Sequence, residues 1–165
     1  MSNSREEKVD HILQAALRVL AAKGYEKATI ADISKAARVS RGILHYYFSD
    51  KEDLVSKALA KSSSSLVQSF FLGVKGNSPE EVVDDILDRY VKNLQEHPDF
   101  YAFLFEMWCA SRRSKKIKNE LVDCIRKVVD TIKELLANVG ENGRLKFNPH
   151  ESNEISKALL ALSDG

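Results

Sequence analysis

All three prolines of this chain, Pro79, Pro98 and Pro149, stand where a helix can begin, and none interrupts a periodic segment. Proline at the first helical position is harmless, because the N–H it lacks is one a helix leaves unpaired anyway. Pro79 follows Ser78 and Pro149 follows Asn148, both good caps, and each pair is followed by a glutamate at the third helical position, Glu81 and Glu151. That is the reciprocal pattern of a capping box. Pro98, before Asp99, is a weaker form of the same start. Gly24, the pair Gly73 and Gly76, and the pair Gly140 and Gly143 fall where helical periodicity stops, as left-handed caps or loop residues.

Between these marks the apolar period is helical throughout. Ile12, Ala16, Val19 and Leu20 line one face of a first helix at about 5–23. Ile30 and Ile33 belong to a short second helix begun by Thr29, and Ser40 caps a third at about 41–47. Ser49 with Glu52 reads as another capping box, opening a long fourth helix that runs to about 72. Further helices are predicted at about 79–96, 98–112, 115–138 and 149–163. Strand-like alternation is absent and the connections are short, so the fold class is all-α. The serine run at 62–65 has a linker's composition, yet it sits within the helical pattern of Leu54, Leu59 and Leu66 and reads as a small-residue helix face. A domain boundary is expected near residue 50. It separates three short helices (1–50) from long helices with large apolar faces (51–165), and the fourth helix is shared by both halves.

Composition narrows the function classes. With 165 residues, 44% hydrophobic and 30% charged, the chain can bury a core of its own. Its formal net charge of +1 means that a nucleic-acid binder of this kind must concentrate its cations locally. Cys109 and Cys124 lack Cys-x-x-Cys spacing and read as small buried hydrophobes in a reducing compartment. The first residues are not those of a signal peptide, and no run approaches the roughly 18 apolar residues of a membrane span. The expectation is therefore a cytoplasmic protein that does not engage a membrane. No paired carboxylates, nucleophile–base spacing or glycine-rich phosphate loop point to an enzyme. No cofactor or metal is predicted, since His11, His45, His97 and His150 form no ligand spacing.

The segment Thr29-Ile-Ala-Asp-Ile-Ser-Lys-Ala-Ala-Arg-Val-Ser-Arg-Gly-Ile-Leu-His-Tyr-Tyr-Phe holds what a helix-turn-helix needs: two short helices, a tight turn, and a second helix with a free outer face. Ile30, Ile33 and Ala37 can pack inward, Val39 can fill the turn, and Leu44 and Phe48, four apart, can anchor the second helix. Ser40, Arg41, Gly42, His45, Tyr46 and part of Tyr47 remain on the open side. Arg41 can give paired donors to guanine or a phosphate. Gly42 admits close backbone approach. His45 and the tyrosines offer ring edges and polar groups. Thr29 and Lys51 stand at helix starts, where backbone N–H groups and the helix dipole favour a phosphate.

Three segments together, 12–24, Thr29-Ile-Ala-Asp-Ile-Ser-Lys-Ala-Ala-Arg-Val-Ser and Gly42-Ile-Leu-His-Tyr-Tyr-Phe-Ser-Asp-Lys-Glu-Asp-Leu, resemble the N-terminal domain of the tetracycline-repressor (TetR-like) family in order and spacing over about residues 8–60. The resemblance implies that Thr29, Ser40, Arg41, Gly42, His45, Tyr46, Tyr47 and Lys51 occupy DNA-contact positions. It further implies a homodimer on a near-palindromic double-stranded DNA operator, long C-terminal helices that bind a small effector, and repression relieved by that effector. Family members continue for one more helix past the point matching 159–165, so by this resemblance the second domain stops short of the family's last helix.

Two other stretches carry possible chemistry. Phe100, Phe103, Leu104, Met107 and Trp108 recur at helical spacing and, with Phe70, Leu87 and Tyr90, suit the wall of a cavity for an apolar or cationic small molecule, Glu106 being its polar group if it points inward. The same residues equally suit plain core. The basic run Arg112, Arg113, Lys115, Lys116 and Lys118 reads as a solvated corner between helices rather than a second nucleic-acid patch. The alternative to a regulator is a helical protein-interaction module whose residues 1–50 dock another protein without binding DNA.

Overall fold

A computed structural model describes residues 2–71, 73–76, 79–141 and 154. Among them the chain forms seven helices and no strand: α1 (Ser2–Lys23), α2 (Ile30–Ala36), α3 (Arg41–Tyr47), α4 (Lys51–Phe71), α5 (Pro79–Glu96), α6 (Pro98–Ser111) and α7 (Lys115–Glu141). The all-α expectation holds, and the serine run at 62–65 is helical, inside α4. The expected helix at 149–163, with its Pro149 start, lies outside the described residues. No helix among the described residues is long and apolar enough to cross a membrane.

The chain divides into two compact units. The first comprises Met1–Ser63 and His97–Cys124, and the second Ser64–Glu96 and Ile125–Gly165. Compactness thus partitions the chain differently from 1–50 and 51–165. Residues 97–124 join the first unit because α6 packs on α1, and α4 and α7 contribute to both.

Packing against both α2 and α6 widens the buried stripe of α1 beyond the expected face. Ile12, Leu13, Ala15, Ala16, Leu17 and Leu20 are all buried, whereas Val19 is only half-buried. The helix ends at Gly24, whose φ of +78° is left-handed and whose N–H bonds the Leu20 carbonyl at 2.9 Å. Leu54, Val55, Ala58 and Leu59 of α4, Phe103 and Met107 of α6 and Ile117 and Leu121 of α7 complete the core of this unit.

The start of α4 corrects the sequence reading by one residue. Asp50, not Ser49, caps it, accepting the Asp53 N–H at 2.7 Å, while Asp53 returns its carboxylate to the Ser49 N–H at 3.2 Å. Glu52, expected in the box, instead accepts the hydroxyl of Ser114, which caps α7 through the Ile117 N–H. The cysteine reading is corrected too: Cys109 is exposed on α6, and Cys124 is half-buried.

In the second unit, Val82 and Ile86 are the buried residues among the described side chains of α5. Asp85 accepts the Lys75 N–H at 3.0 Å and pairs with Arg89 at 2.8 Å, and Arg89 also reaches the Gly73 carbonyl. The loop at 73–76 is thereby clasped to α5. Gly76 is required there, since a Cβ would lie 2.6 Å from the Val82 side chain.

Candidate nucleic-acid interface

The module formed by α2 and α3 is built from local hydrogen bonds. Thr29 caps α2 in a full capping box: its Oγ1 accepts the Asp32 N–H at 3.1 Å, and the Asp32 carboxylate accepts the Thr29 N–H at 3.0 Å. The Thr29 hydroxyl proton is also directed at Asp32, at 2.7 Å. Lys23 pairs with the same carboxylate at 2.6 Å, and these partners hold it far below the usual carboxylate range. The turn between the helices is a Schellman motif, in which Val39 N–H bonds the Ser34 carbonyl and Arg38 N–H the Lys35 carbonyl. It places Arg38 at φ +53°, a left-handed conformation that costs a non-glycine residue roughly 1–2 kcal/mol. Ser40 then caps α3, its Oγ accepting the Ile43 N–H.

Burial separates the two faces of α3. Ile33, Ala37, Leu44 and Phe48 are buried, as their spacing predicts, and Ile30 and Val39 are half-buried. Ser40, Arg41, Gly42, His45 and Tyr46 are exposed, Tyr46 at 72%, and Tyr47 is half-buried. The rings of Tyr46 and Tyr47 meet edge to face, with centroids 4.9 Å apart. The structure therefore brings Arg41, Gly42, His45, Tyr46 and Tyr47 together on one outward helix surface, of the size that B-DNA's major groove admits.

Lys51, at the first position of α4, is half-buried and turned toward the α1–α2 turn. Its ammonium donates to the Tyr25 carbonyl and lies 4.4 Å from the centre of the Tyr25 ring. Burial lowers its pKa below the ordinary lysine value, with nearby Glu26 opposing the shift. Burial raises the Tyr25 phenol in turn, helped by Glu52, Glu26 and Asp50. An ammonium has three donors, so one bond to Tyr25 leaves capacity for an anion.

Sequence reasoning missed Arg5. Its guanidinium lies 5.9 Å from the centre of the Tyr46 ring and 5.7 Å from that of Tyr47, so the start of α1 adds a cation to the same surface. No local pattern links residue 5 to residue 46, and only the packing of α1 brings them together.

The other expected sites fare differently. Phe103, Met107 and Phe100 lie on the buried face of α6, Leu104 is half-buried, and Trp108 is 43% exposed. Leu87 and Tyr90 are half-buried on α5, in the second unit, and the side chain of Phe70 lies outside the described residues. Glu106 is no cavity group: its Oε2 accepts the Tyr25 N–H at 2.9 Å. The basic corner is exposed, as expected, and two of its cations are paired. Arg113 pairs with Glu26 at 2.5 Å and Lys116 with Asp53 at 3.2 Å.

The family model for bacterial regulatory proteins of the tetR family matches residues 12–58, the span from the middle of α1 into α4. Among relatives, the transcriptional repressor AcnR of Corynebacterium diphtheriae is 30% identical over 135 residues, covering 82% of this chain and 66% of that protein. The chain spans less than half the length of two further curated relatives, 41% of YuxN of Bacillus subtilis and 28% of AcrR of Shigella flexneri. A TetR transcription regulator from Haloarcula marismortui has the same fold, with a TM-score of 0.78 and 25% identity over 97% of this chain and 84% of its own. A transcriptional regulator from Saccharomonospora viridis in complex with choline superposes with a TM-score of 0.66 at 22% identity, covering 97% of this chain and 83% of that one. The match over the helix-turn-helix, the all-helical architecture and the similarity to AcnR together show that this chain belongs to the tetR family of bacterial transcriptional regulators.

Proposed function

We propose that this chain is a sequence-specific DNA-binding transcriptional regulator, a cytoplasmic repressor that leaves its operator when a small molecule binds. The observation that carries the reading is the outward face of α3, polar and exposed above a buried anchor of Leu44 and Phe48. On it Arg41, His45, Tyr46 and Tyr47 read base edges, Gly42 lets the backbone come close, and Ser40 lies against the groove wall. Thr29 and Lys51 meet phosphates, Thr29 through the start of α2 because its hydroxyl is committed to Asp32. Arg5, stacked beside the tyrosines, joins the phosphate contacts. Two copies would place their α3 helices in successive major grooves of a near-palindromic site, about 34 Å apart or somewhat more.

The effector is proposed to be apolar or cationic and to bind among the C-terminal helices. The choline complex of the Saccharomonospora viridis protein supports the cationic choice. Aromatic faces attract a quaternary ammonium through the ring quadrupole. Selection of bound duplexes from a random pool tests the main claim, with a palindromic consensus as the expected result. Recovery of sequences no different from the input pool would overturn it. A thermal-shift screen with quaternary ammonium and hydrophobic compounds tests the effector. A raised melting temperature and loss of operator binding with the same compound are expected.

A further inference from the structure

One residue of the α1–α2 turn is held at both ends of its backbone by side chains from distant helices. Tyr25 gives its N–H to Glu106 of α6, 2.9 Å away, and its carbonyl receives the ammonium of Lys51 of α4. The Tyr25 ring lies beneath the same ammonium. Gly24 makes the first contact possible. Its bare Cα faces the carboxylate, and a Cβ there would sit 3.0 Å from Glu106 Oε2. All the groups lie within the first compact unit.

We propose that Glu106 is a positioning residue for Lys51, acting through the backbone of Tyr25. A lysine side chain has four flexible bonds, and its ammonium is ordinarily spread over many rotamers. Fixing the Tyr25 carbonyl gives that ammonium one address. Two of its donors stay available for a phosphate. The carboxylate of Glu106 keeps the carbonyl in place by anchoring the N–H of the same residue. Removing it frees the turn and lets Lys51 wander. A residue 55 positions away in sequence, on a helix that carries no DNA-contact group, thereby sets how well the cation is preorganised.

The DNA half of this inference rests on the proposed phosphate role of Lys51, whereas the coupling between Glu106 and Lys51 can be read without DNA. In the full chain, acylation of individual lysines by a soluble amine-reactive ester, followed by mass spectrometry, reports the freedom of Lys51 against exposed Lys35. Glu106→Ala is expected to raise the Lys51 rate toward that of Lys35, and Glu106→Gln, whose amide oxygen still accepts the Tyr25 N–H, to leave it at the wild-type rate. Should the alanine variant fail to fold, Glu106→Asp, one methylene short of the turn, replaces it. On selected operator duplex, Glu106→Ala is expected to weaken binding on the order of tenfold, with little further loss when Lys51→Ala is added. An unchanged Lys51 rate in Glu106→Ala, or full additivity of the two variants on DNA, overturns the proposal. If Lys51→Ala alone binds every duplex as wild type does, the phosphate role of Lys51 falls, while the labelling result still decides whether Glu106 positions it.

Discussion

Helices α3 and α6 both carry aromatic runs and use them in opposite ways. In α3 the rings of Tyr46 and Tyr47 turn toward the surface, and a single residue within the helix, Leu44, is fully buried. In α6 Phe103 and Met107 are sealed in the core against solvent, and Phe105 and Trp108 are left outside. The seven residues of α3 cannot hold themselves as a helix. They depend on the Ser40 cap, the Schellman turn before it and the anchor beneath. In exchange, nearly all of the outer face is free for recognition. The fourteen residues of α6 spend their apolar face on packing, and the polar residue that matters, Glu106, reaches back to the turn after α1. A recognition surface and a packing surface can therefore have similar compositions. Which neighbour lies beneath them decides which is which.

Substitutions should separate the two helices, and the largest effect belongs to α6. Phe103→Ala is expected to destabilise the protein by about 3–5 kcal/mol in urea unfolding, the range for a buried phenylalanine. A loss under about 1 kcal/mol, as a face already lining a void would show, would break the contrast. Next comes Leu44→Ala, with an expected cost of about 2–5 kcal/mol. Tyr46→Ala, on the opposite side of the same helix, should change stability by less than about 0.5 kcal/mol while impairing DNA binding. Equal stability losses at the two positions would show that α3 has no free face.

On DNA, Arg41→Ala is expected to cost about 1–3 kcal/mol of discrimination between the selected site and a point variant, measured by fluorescence anisotropy. Lys51→Ala should weaken all sequences alike and reduce the salt slope by about 1. In the turn that sets α3, Arg38→Gly should raise stability by up to about 1 kcal/mol, since glycine relieves the left-handed strain but adds freedom to the unfolded chain. The smallest effect concerns acid. Burial acts to raise the Asp53 carboxyl, but Lys57, the Ser49 N–H and Lys116 outweigh it and hold it lowered to about 2. A carboxyl depressed in the folded state contributes stability that is present above its unfolded pKa near 3.9 and is lost as pH falls through the folded value. Melting temperatures between about pH 4 and pH 2 should fall more steeply in the wild type than in Asp53→Asn.

What could be read in advance follows the same division. Thr29 and Ser40 announce α2 and α3 because a cap and its partner lie three residues apart, well inside any sequence window. Pro79 and Pro98 announce α5 and α6 for a different local reason, since proline fits the first helical position and His97 makes no side-chain cap bond at α6. The start of α4 was legible only to within one residue. Ser49 and Asp50 can both cap, and Glu52, the expected partner of Ser49, is engaged instead by Ser114, 62 positions later. The fully buried face of α6, with Phe103 and Met107 on it, was legible as apolar. Whether it met a ligand or α1 was not, because periodicity records that a face is buried and never what covers it. Arg5 left no sequence trace, and Glu106 stood out only as the polar residue of an aromatic run, with nothing to name its partner. Each acts on a residue remote in the chain, Tyr46 and Tyr25 respectively, and neither sits in a recurring pattern.

The first compact unit is discontinuous, since residues 1–63 are completed only by residues 97–124. A ribosome adding about 5–20 residues per second would expose the nascent helix-turn-helix for several seconds before α6 could be laid against α1. Until then the buried face of α1 would lack the part of its cover that α6 supplies. A fragment cut at the end of the recognition module should inherit that incomplete condition permanently. An expressed piece ending near residue 63 would therefore be sticky and prone to aggregate, and a portable DNA-binding unit taken from this chain would need the α6 segment grafted back onto it.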